Sequence, residues 1–222
     1  MKVDITLLKV HFHSMKSTLT TSDLFGSPGR IGVLRILWCA GVPMTAAEVA
    51  RQTGLSHPAA STILRSLLWQ GIVANSPAGR GYVYWMPKDN IYVERFLDPV
   101  FAAEVEVPDL MLAELCTVLG SLAESVVLFG SYARGDQNAA SDVDLAVVVA
   151  DAAARDPVDR ALSVFAPEFE RRFGATLSPL VYDRLEAAEL ADRAPALWQS
   201  ILSEGVTACG IGPAEWRGRQ TK

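Results

Sequence analysis

The stretch VVLFGSYARGDQNAASDVDLAVVV, residues 126–149, decides the reading of the second half of this 222-residue chain. Its two ends, Val126 to Phe129 and Val143 to Val149, have the composition of buried strands. Gly130 and Ser131 break the first strand, and Asp142 and Asp144 open the second. Side chains alternate along a strand, so the two carboxylates point to one side while Val143 and Leu145 point to the other. Two carboxylates on one face with an apolar strand behind them repel each other unless a cation sits between them or water screens them. Hard oxygen ligands of this kind suit Mg²⁺ or Mn²⁺. Gly130 lets a backbone approach a ligand closely, and Ser131 offers a hydroxyl and an amide where a short helical turn begins, a favourable place for a phosphate. Arg134 adds a positive charge one turn on, where it either touches a ligand or pairs with Asp136. Ser141 either caps the turn before the second strand or contributes to ligand binding, and Gly135 serves the turn. The pieces are a phosphate cradle and a metal-ligand pair, joined by a loop that brings them face to face.

The spacing Gly-Ser, ten residues, Asp-x-Asp resembles the signature of the polymerase β-like nucleotidyltransferase superfamily, and GSYARG followed by SDVDL is similar to its minimal nucleotidyltransferase branch. That resemblance implies a mixed sheet with helices on one side. It implies that Gly130 and Ser131, with Arg134 and Ser141 near them, bind a nucleoside triphosphate, and that Asp142 and Asp144 coordinate two Mg²⁺ ions and are catalytic. The implied chemistry is in-line attack of a hydroxyl on the α-phosphorus with release of pyrophosphate, the metals stabilising the attacking and leaving oxygens. Active members carry a third carboxylate on a later strand, which helps hold a metal and accepts the proton of the attacking hydroxyl. By resemblance that acid belongs near position 178, within Thr176 to Asp183, and this chain has Ser178. Asp183, the nearest acid, lies five residues along and faces the other way unless Pro179 introduces a bulge. Glu168 and Glu170 lie on the preceding helix, Asp156 to Phe173, which Pro167 is expected to kink or divide. Three functions stay open: a transferase, a non-catalytic nucleotide sensor or docking module, and an antitoxin-like protein that modifies or masks a partner protein.

Upstream, Pro28 begins an apolar stripe of helical period, Ile31, Val33, Leu34, Ile36 and Leu37, ending at Gly41. Thr45-Ala-Ala-Glu48 is a capping box for a short helix that closes at Gly54. Ser56 caps a third helix, whose buried face is Ala60, Ile63, Leu64, Leu67 and Leu68. Two β-forming runs around Pro77 to Gly81 then read as a hairpin. This order of elements, with TAAEVARQTGLSHPAASTILRSLLWQGIV, resembles the winged helix-turn-helix domains of MarR- and ArsR-type regulators. The resemblance implies that the third helix enters the major groove of DNA through His57, Ser61, Thr62 and Arg65, with Arg80 at the wing tip. Dimerisation or protein docking is the competing use of such a module.

Charge divides the same way: residues 1–100 sum to +4 and residues 101–222 to −9. Half of the residues are apolar and a fifth charged, with a mildly positive mean hydropathy, which excludes a disordered or fibrous chain. The expected fold is α+β in two domains. A winged helix-turn-helix covers residues 24–100, and a nucleotidyltransferase domain with a mixed β-sheet flanked by helices covers 101–210. Residues 1–23 form an arm or strand and 211–222 a tail. Pro99 and Pro108 bracket the boundary, residues 87–124 read as helical with a start signal at Pro108-Asp109, and Leu185 to Cys209 reads as helical. Cys39, Cys116 and Cys209 give no disulfide framework or zinc spacing, which points to a reducing cytoplasm. His11 and His13 share a strand face without a third ligand and read as an exposed pair. No signal-peptide core or membrane span is legible, so a soluble protein is expected. Its expected partners are DNA, a nucleoside triphosphate, a protein acceptor and a second copy of the chain.

Overall fold

The computed structural model describes residues 19–135 and 141–218, and the chain divides into two compact units between Glu104 and Val105. His11, His13 and Asp136 lie outside the described residues.

The first unit is built from α1 (Thr21–Phe25), α2 (Pro28–Ala40), β1 (Met44–Thr45), α3 (Ala46–Thr53), α4 (His57–Trp69), β2 (Ala74–Ala78) and β3 (Gly81–Trp85). The Thr45–Glu48 box and the Ser56 cap are where the sequence places them, and Ser27 adds a further cap. The Ser27 side chain caps α2 with Pro28 in its first turn, Thr45 and Glu48 form the reciprocal box on α3, and the Ser56 hydroxyl accepts from the Ala59 amide on α4. Val33, Leu34 and Leu37 of α2, Val49 of α3, and Ala60, Leu64 and Leu67 of α4 converge on one core. The strands form an antiparallel sheet in the order β1-β3-β2, and Ala78 pairs with Gly81 across a two-residue turn that carries Arg80. The unit is thus a run of helices followed by a β-hairpin, with β1 completing a three-stranded sheet. The unit begins before residue 24: Thr20 caps α1, and Leu24 and Leu19 pack into the core.

The second unit centres on a mixed sheet ordered β6-β5-β4-β7, from β4 (Ser125–Phe129), β5 (Val143–Val149), β6 (Leu177–Asp183) and β7 (Val206–Gly210). β5 is parallel to β6 and antiparallel to β4, and β7 is antiparallel to β4. The helices are α5 (Asp98–Leu119), α6 (Ser131–Arg134), α7 (Arg155–Phe173), α8 (Arg184–Arg193) and α9 (Pro195–Glu204). Strand alternation sorts the core. Val126, Leu128, Val143, Leu145 and Val147 face α5 and α7, whereas Val127, Phe129, Ala146 and Val148 face α8 and α9. Helices therefore cover both faces, not one, because both alternating sets of β4 and β5 are apolar and each needs a cover.

Several expectations at element ends are corrected. Pro108 does not open a helix: α5 starts at Asp98 after a π-helical turn (Val93–Leu97) and runs through Pro108. It is anchored by Phe101 in the first core and by Met111, Leu115 and Leu119 in the second. Pro167 likewise lies inside an undivided α7. Both prolines are exposed, and buried residues elsewhere on α5 and α7 outweigh the one backbone bond that each ring removes. The stretch before Cys209 is not all helix, since β7 closes the sheet edge against β4. The expected tail is partly core: a 3-10 turn, Pro213–Gly218, buries Trp216 to 3% exposure, and its indole Nε1 donates to Ser125 Oγ at 3.1 Å.

Among the described residues, no helix is long and apolar enough to cross a membrane.

Candidate functional site

The two buried strands carry the site at one end of the sheet. Asp144 lies opposite Phe129 in β4 and opposite Ser178 in β6, so the expected third-acid position and the second aspartate are cross-strand neighbours. Asp144 shares the face of Ala146 and Val148, the side covered by α8 and α9. Gly130 follows β4 with φ +74° and ψ −149°, a conformation that only glycine adopts readily. The Asp144 carboxylate lies directly against it: a side chain at Gly130 would collide with Asp144 Oδ2 and stand 3.2 Å from Asp144 Cγ. Glycine is thus required twice, by the backbone and by the carboxylate that fills the missing side chain's place. Ser131 and Tyr132 follow as the first residues of α6, both half-buried.

Asp142 is exposed and Asp144 half-buried. Burial, and then the neighbouring Asp142, push the Asp144 carboxyl above the ordinary range; a hydrogen bond from Ser178 and the charge of Arg134 pull it back. Two acids that repel each other to this degree, next to a hydroxyl, form a donor set that fits a hard divalent cation. Mg²⁺ takes one or two carboxylates and completes its shell with water and substrate phosphate. Among the described residues no cluster of three or more His, Cys, Asp or Glu exists that would hold a metal without such help.

Arg134 closes this side of the site, and its Nη1 lies 2.7 Å from Glu204 Oε2. The same oxygen accepts from Ser200 Oγ at 3.0 Å. Sequence reasoning missed Glu204 and Ser200, because 70 positions separate Glu204 from Arg134 and neither residue belongs to a motif. Ser141 is half-buried immediately before β5. Asp183 is not a substitute for a third acid. The β5–β6 register runs unbroken past Pro179 to pair Asp183 with Val149 at the far end of β5, where its side chain caps α8 and accepts from the Glu186 amide. Glu168 pairs with Arg171 on α7.

In the first unit, α4 carries His57, Thr62 and Arg65 exposed and Ser61 half-buried, and the wing turn carries Arg80 exposed. Arg65 folds back on its own helix, Nε to the Ser61 carbonyl at 3.3 Å and Nη2 to Thr62 Oγ1 at 3.4 Å. A separate apolar cleft of about 970 Å³ in this unit is lined by Leu37, Trp38, Pro43, Trp85 and Met86 among others; none of the Asp144 neighbours borders it. In the second unit Cys116 and Cys209 lie side by side, and burial with the Cys116 contact pushes the Cys209 thiol up to about 12.

Comparison with known proteins places the match where the geometry places the site. Residues 111–194 match the family model described as a nucleotidyltransferase domain. A Methanocaldococcus jannaschii protein named as a candidate protein adenylyltransferase is 30% identical over 71 residues, which cover 32% of this chain and 71% of that protein. Among solved structures, a toxin–antitoxin crystal structure with AMP-PNP is 21% identical with a TM-score of 0.33, covering 49% of this chain and 82% of that one. The adhesin competence repressor of Streptococcus pyogenes is 16% identical with a TM-score of 0.28, covering 75% of this chain and 91% of that one.

Proposed function

Because this chain belongs to the nucleotidyltransferase-domain family, we propose that its second unit transfers a nucleoside monophosphate from a nucleoside triphosphate to a hydroxyl acceptor. One observation carries the reading: the Gly130 turn and the Asp144 carboxylate are in contact, with Asp142 just before the strand and near enough for its charge to raise the Asp144 carboxyl. Asp142 and Asp144 would hold Mg²⁺, which when bound neutralises the charge that builds on the phosphates. The Gly130 and Ser131 amides would donate to the phosphate chain, and Arg134 would supply a cation beside it. The acceptor oxygen forms its bond to the α-phosphorus as the bond to pyrophosphate breaks, and the acceptor's proton passes to a carboxylate or to water. The relative named as a candidate protein adenylyltransferase supports ATP as donor and a protein hydroxyl as acceptor.

The test is transfer of label from α-³²P ATP with Mg²⁺ to protein and RNA acceptors, by wild type and by Asp142→Ala and Asp144→Asn. Transfer by wild type alone is expected; no transfer to any acceptor, or equal transfer by all three, refutes the enzyme.

A second reading, nucleotide binding without turnover, has one observation in its favour: a serine, not an acid, stands beside Asp144. ATP binding without transfer, with transfer gained in Ser178→Asp, is the result it expects.

We further propose that the first unit binds DNA. Support comes from the helix-turn-helix and wing geometry and from the placement of His57, Ser61, Thr62, Arg65 and Arg80 on α4 and the wing turn. Binding should weaken steeply with salt and fall in Arg65→Ala; salt-insensitive association, unchanged in that variant, refutes it.

A further inference from the structure

Glu204 is the last residue of α9, where the helix dipole presents its negative end and a carboxylate is disfavoured. The helix is anchored by Ile201, which is fully buried against the sheet. The acid is retained at this unfavourable position by two contacts, the Ser200 hydroxyl one turn back and the Arg134 guanidinium. Arg134 in turn is the cation whose charge reaches Asp144. Among the described residues, four charges therefore gather at the site: three carboxylates, of Asp142, Asp144 and Glu204, and one guanidinium. A guanidinium binds carboxylate and phosphate through the same fork of N–H groups, so the two anions compete for it.

We propose that Glu204 is the resting counter-ion of Arg134 and sets the affinity of the site for a nucleoside triphosphate. In the absence of ligand it holds the guanidinium and offsets part of the pull that Arg134 exerts on an anion. A triphosphate reaching the Gly130 turn must share or displace that contact, so part of its attraction to Arg134 is spent on breaking an existing pair. Removing the Glu204 charge then favours the polyanion, whether the carboxylate stays in contact or swings away. This inference rests on the nucleotide reading of the same site.

The experiment is equilibrium binding of the β,γ-imido analogue of ATP with Mg²⁺ to the full chain, for wild type, Glu204→Gln, Arg134→Ala and the double variant. Glu204→Gln keeps a hydrogen-bond acceptor for Ser200 and loses only the charge; it is expected to tighten binding about three- to tenfold. Arg134→Ala weakens binding, and in that background Glu204→Gln adds less than about twofold, a non-additivity that general loosening of α9 would not produce. Ser200→Ala, which frees Glu204 without altering charge, shifts affinity in the same direction by less. Glu204→Gln binding no tighter than wild type, or a gain that survives without Arg134, overturns the counter-ion role while leaving the nucleotide reading intact. Absence of binding by folded wild type overturns the nucleotide reading and this inference with it.

Discussion

Gly130→Ala isolates the contact on which the site is built. Two costs add. The backbone at φ +74° and ψ −149° lies in a region essentially reserved for glycine, and an L-residue held there costs about 1–3 kcal/mol. The new methyl would also meet the Asp144 carboxylate, with Cγ only 3.2 Å away, an overpacking that costs about 1–3 kcal/mol. Asp144 is half-buried, so its carboxylate is able to swing aside and the second cost falls in the lower part of its range; the expected total is about 2–4 kcal/mol. Gly135→Ala is the internal control. Its φ of +72° is also positive, but among the described residues nothing lies within 4 Å of the added carbon, so only about 1–2 kcal/mol of backbone strain is expected. In an Asp144→Ala background the steric cost disappears, because Asp144 Cβ stands at an ordinary 3.5 Å, and Gly130→Ala should become cheaper by about 1–2 kcal/mol. Hydrogen exchange of the β4 and β5 amides in the full chain reads the stability of this unit directly. If Gly130→Ala costs no more than Gly135→Ala, or costs the same with and without the Asp144 carboxylate, the proposed contact does not exist.

Three further outcomes follow from the same coordinates. Burial and Asp142 raise the Asp144 carboxyl, so its ionised form opposes folding; Asp144→Asn should stabilise the metal-free protein at neutral pH, with the gain shrinking as acid protonates the wild type through its raised pKa. Thermal unfolding in chelator at neutral and acid pH checks this, and a pH-independent difference contradicts it. With its thiol pushed up to about 12, Cys209 should resist iodoacetamide at pH 8 under native conditions while the exposed Cys39 is alkylated, as peptide mass spectrometry will report; equal labelling would refute the shielding. Trp216→Ala should destabilise the second unit by about 3–5 kcal/mol, because a fully packed indole and its bond to Ser125 are lost, and a denaturant shift of under about 1 kcal/mol would mean the C-terminal turn is not docked.

The legible parts of the molecule were those whose signal is local. β4 and β5 announce themselves because both faces of the sheet are covered, which leaves apolar runs interrupted only at Asp144. The cap on α3 is equally local, since Thr45 and Glu48 satisfy each other within one turn. What escaped was set by distant partners. β7 is short and half-exposed, and it becomes a strand only by pairing with β4 some 80 positions earlier, a relation that hydrophobic periodicity does not carry. Trp216 belongs to no periodic pattern, yet it fills the space between Trp198 and the sheet. Pro108 does not start a helix and Pro167 does not divide one, because buried residues elsewhere on α5 and α7 overrode local preference. Position 178 was located only through resemblance, and the β5–β6 register then set it beside Asp144.

That register also constrains the chemistry on the proposed reading. A serine at 178 removes one negative charge from the place where a third carboxylate would share a metal and accept the acceptor's proton. Metal and nucleotide binding survive such a loss, since one or two carboxylates with substrate phosphate suffice for Mg²⁺. Proton removal from the acceptor is what suffers, because a serine hydroxyl near neutral pH is no base. The Ser178 hydroxyl instead donates to Asp144 and spends one of that carboxylate's lone pairs. Partly offsetting this, the burial that raises the Asp144 carboxyl also makes its ionised form a stronger base than an ordinary aspartate. The substitution therefore bears on the chemical step far more than on ligand binding. On that reading, Ser178→Asp should raise turnover far more than it changes nucleotide affinity.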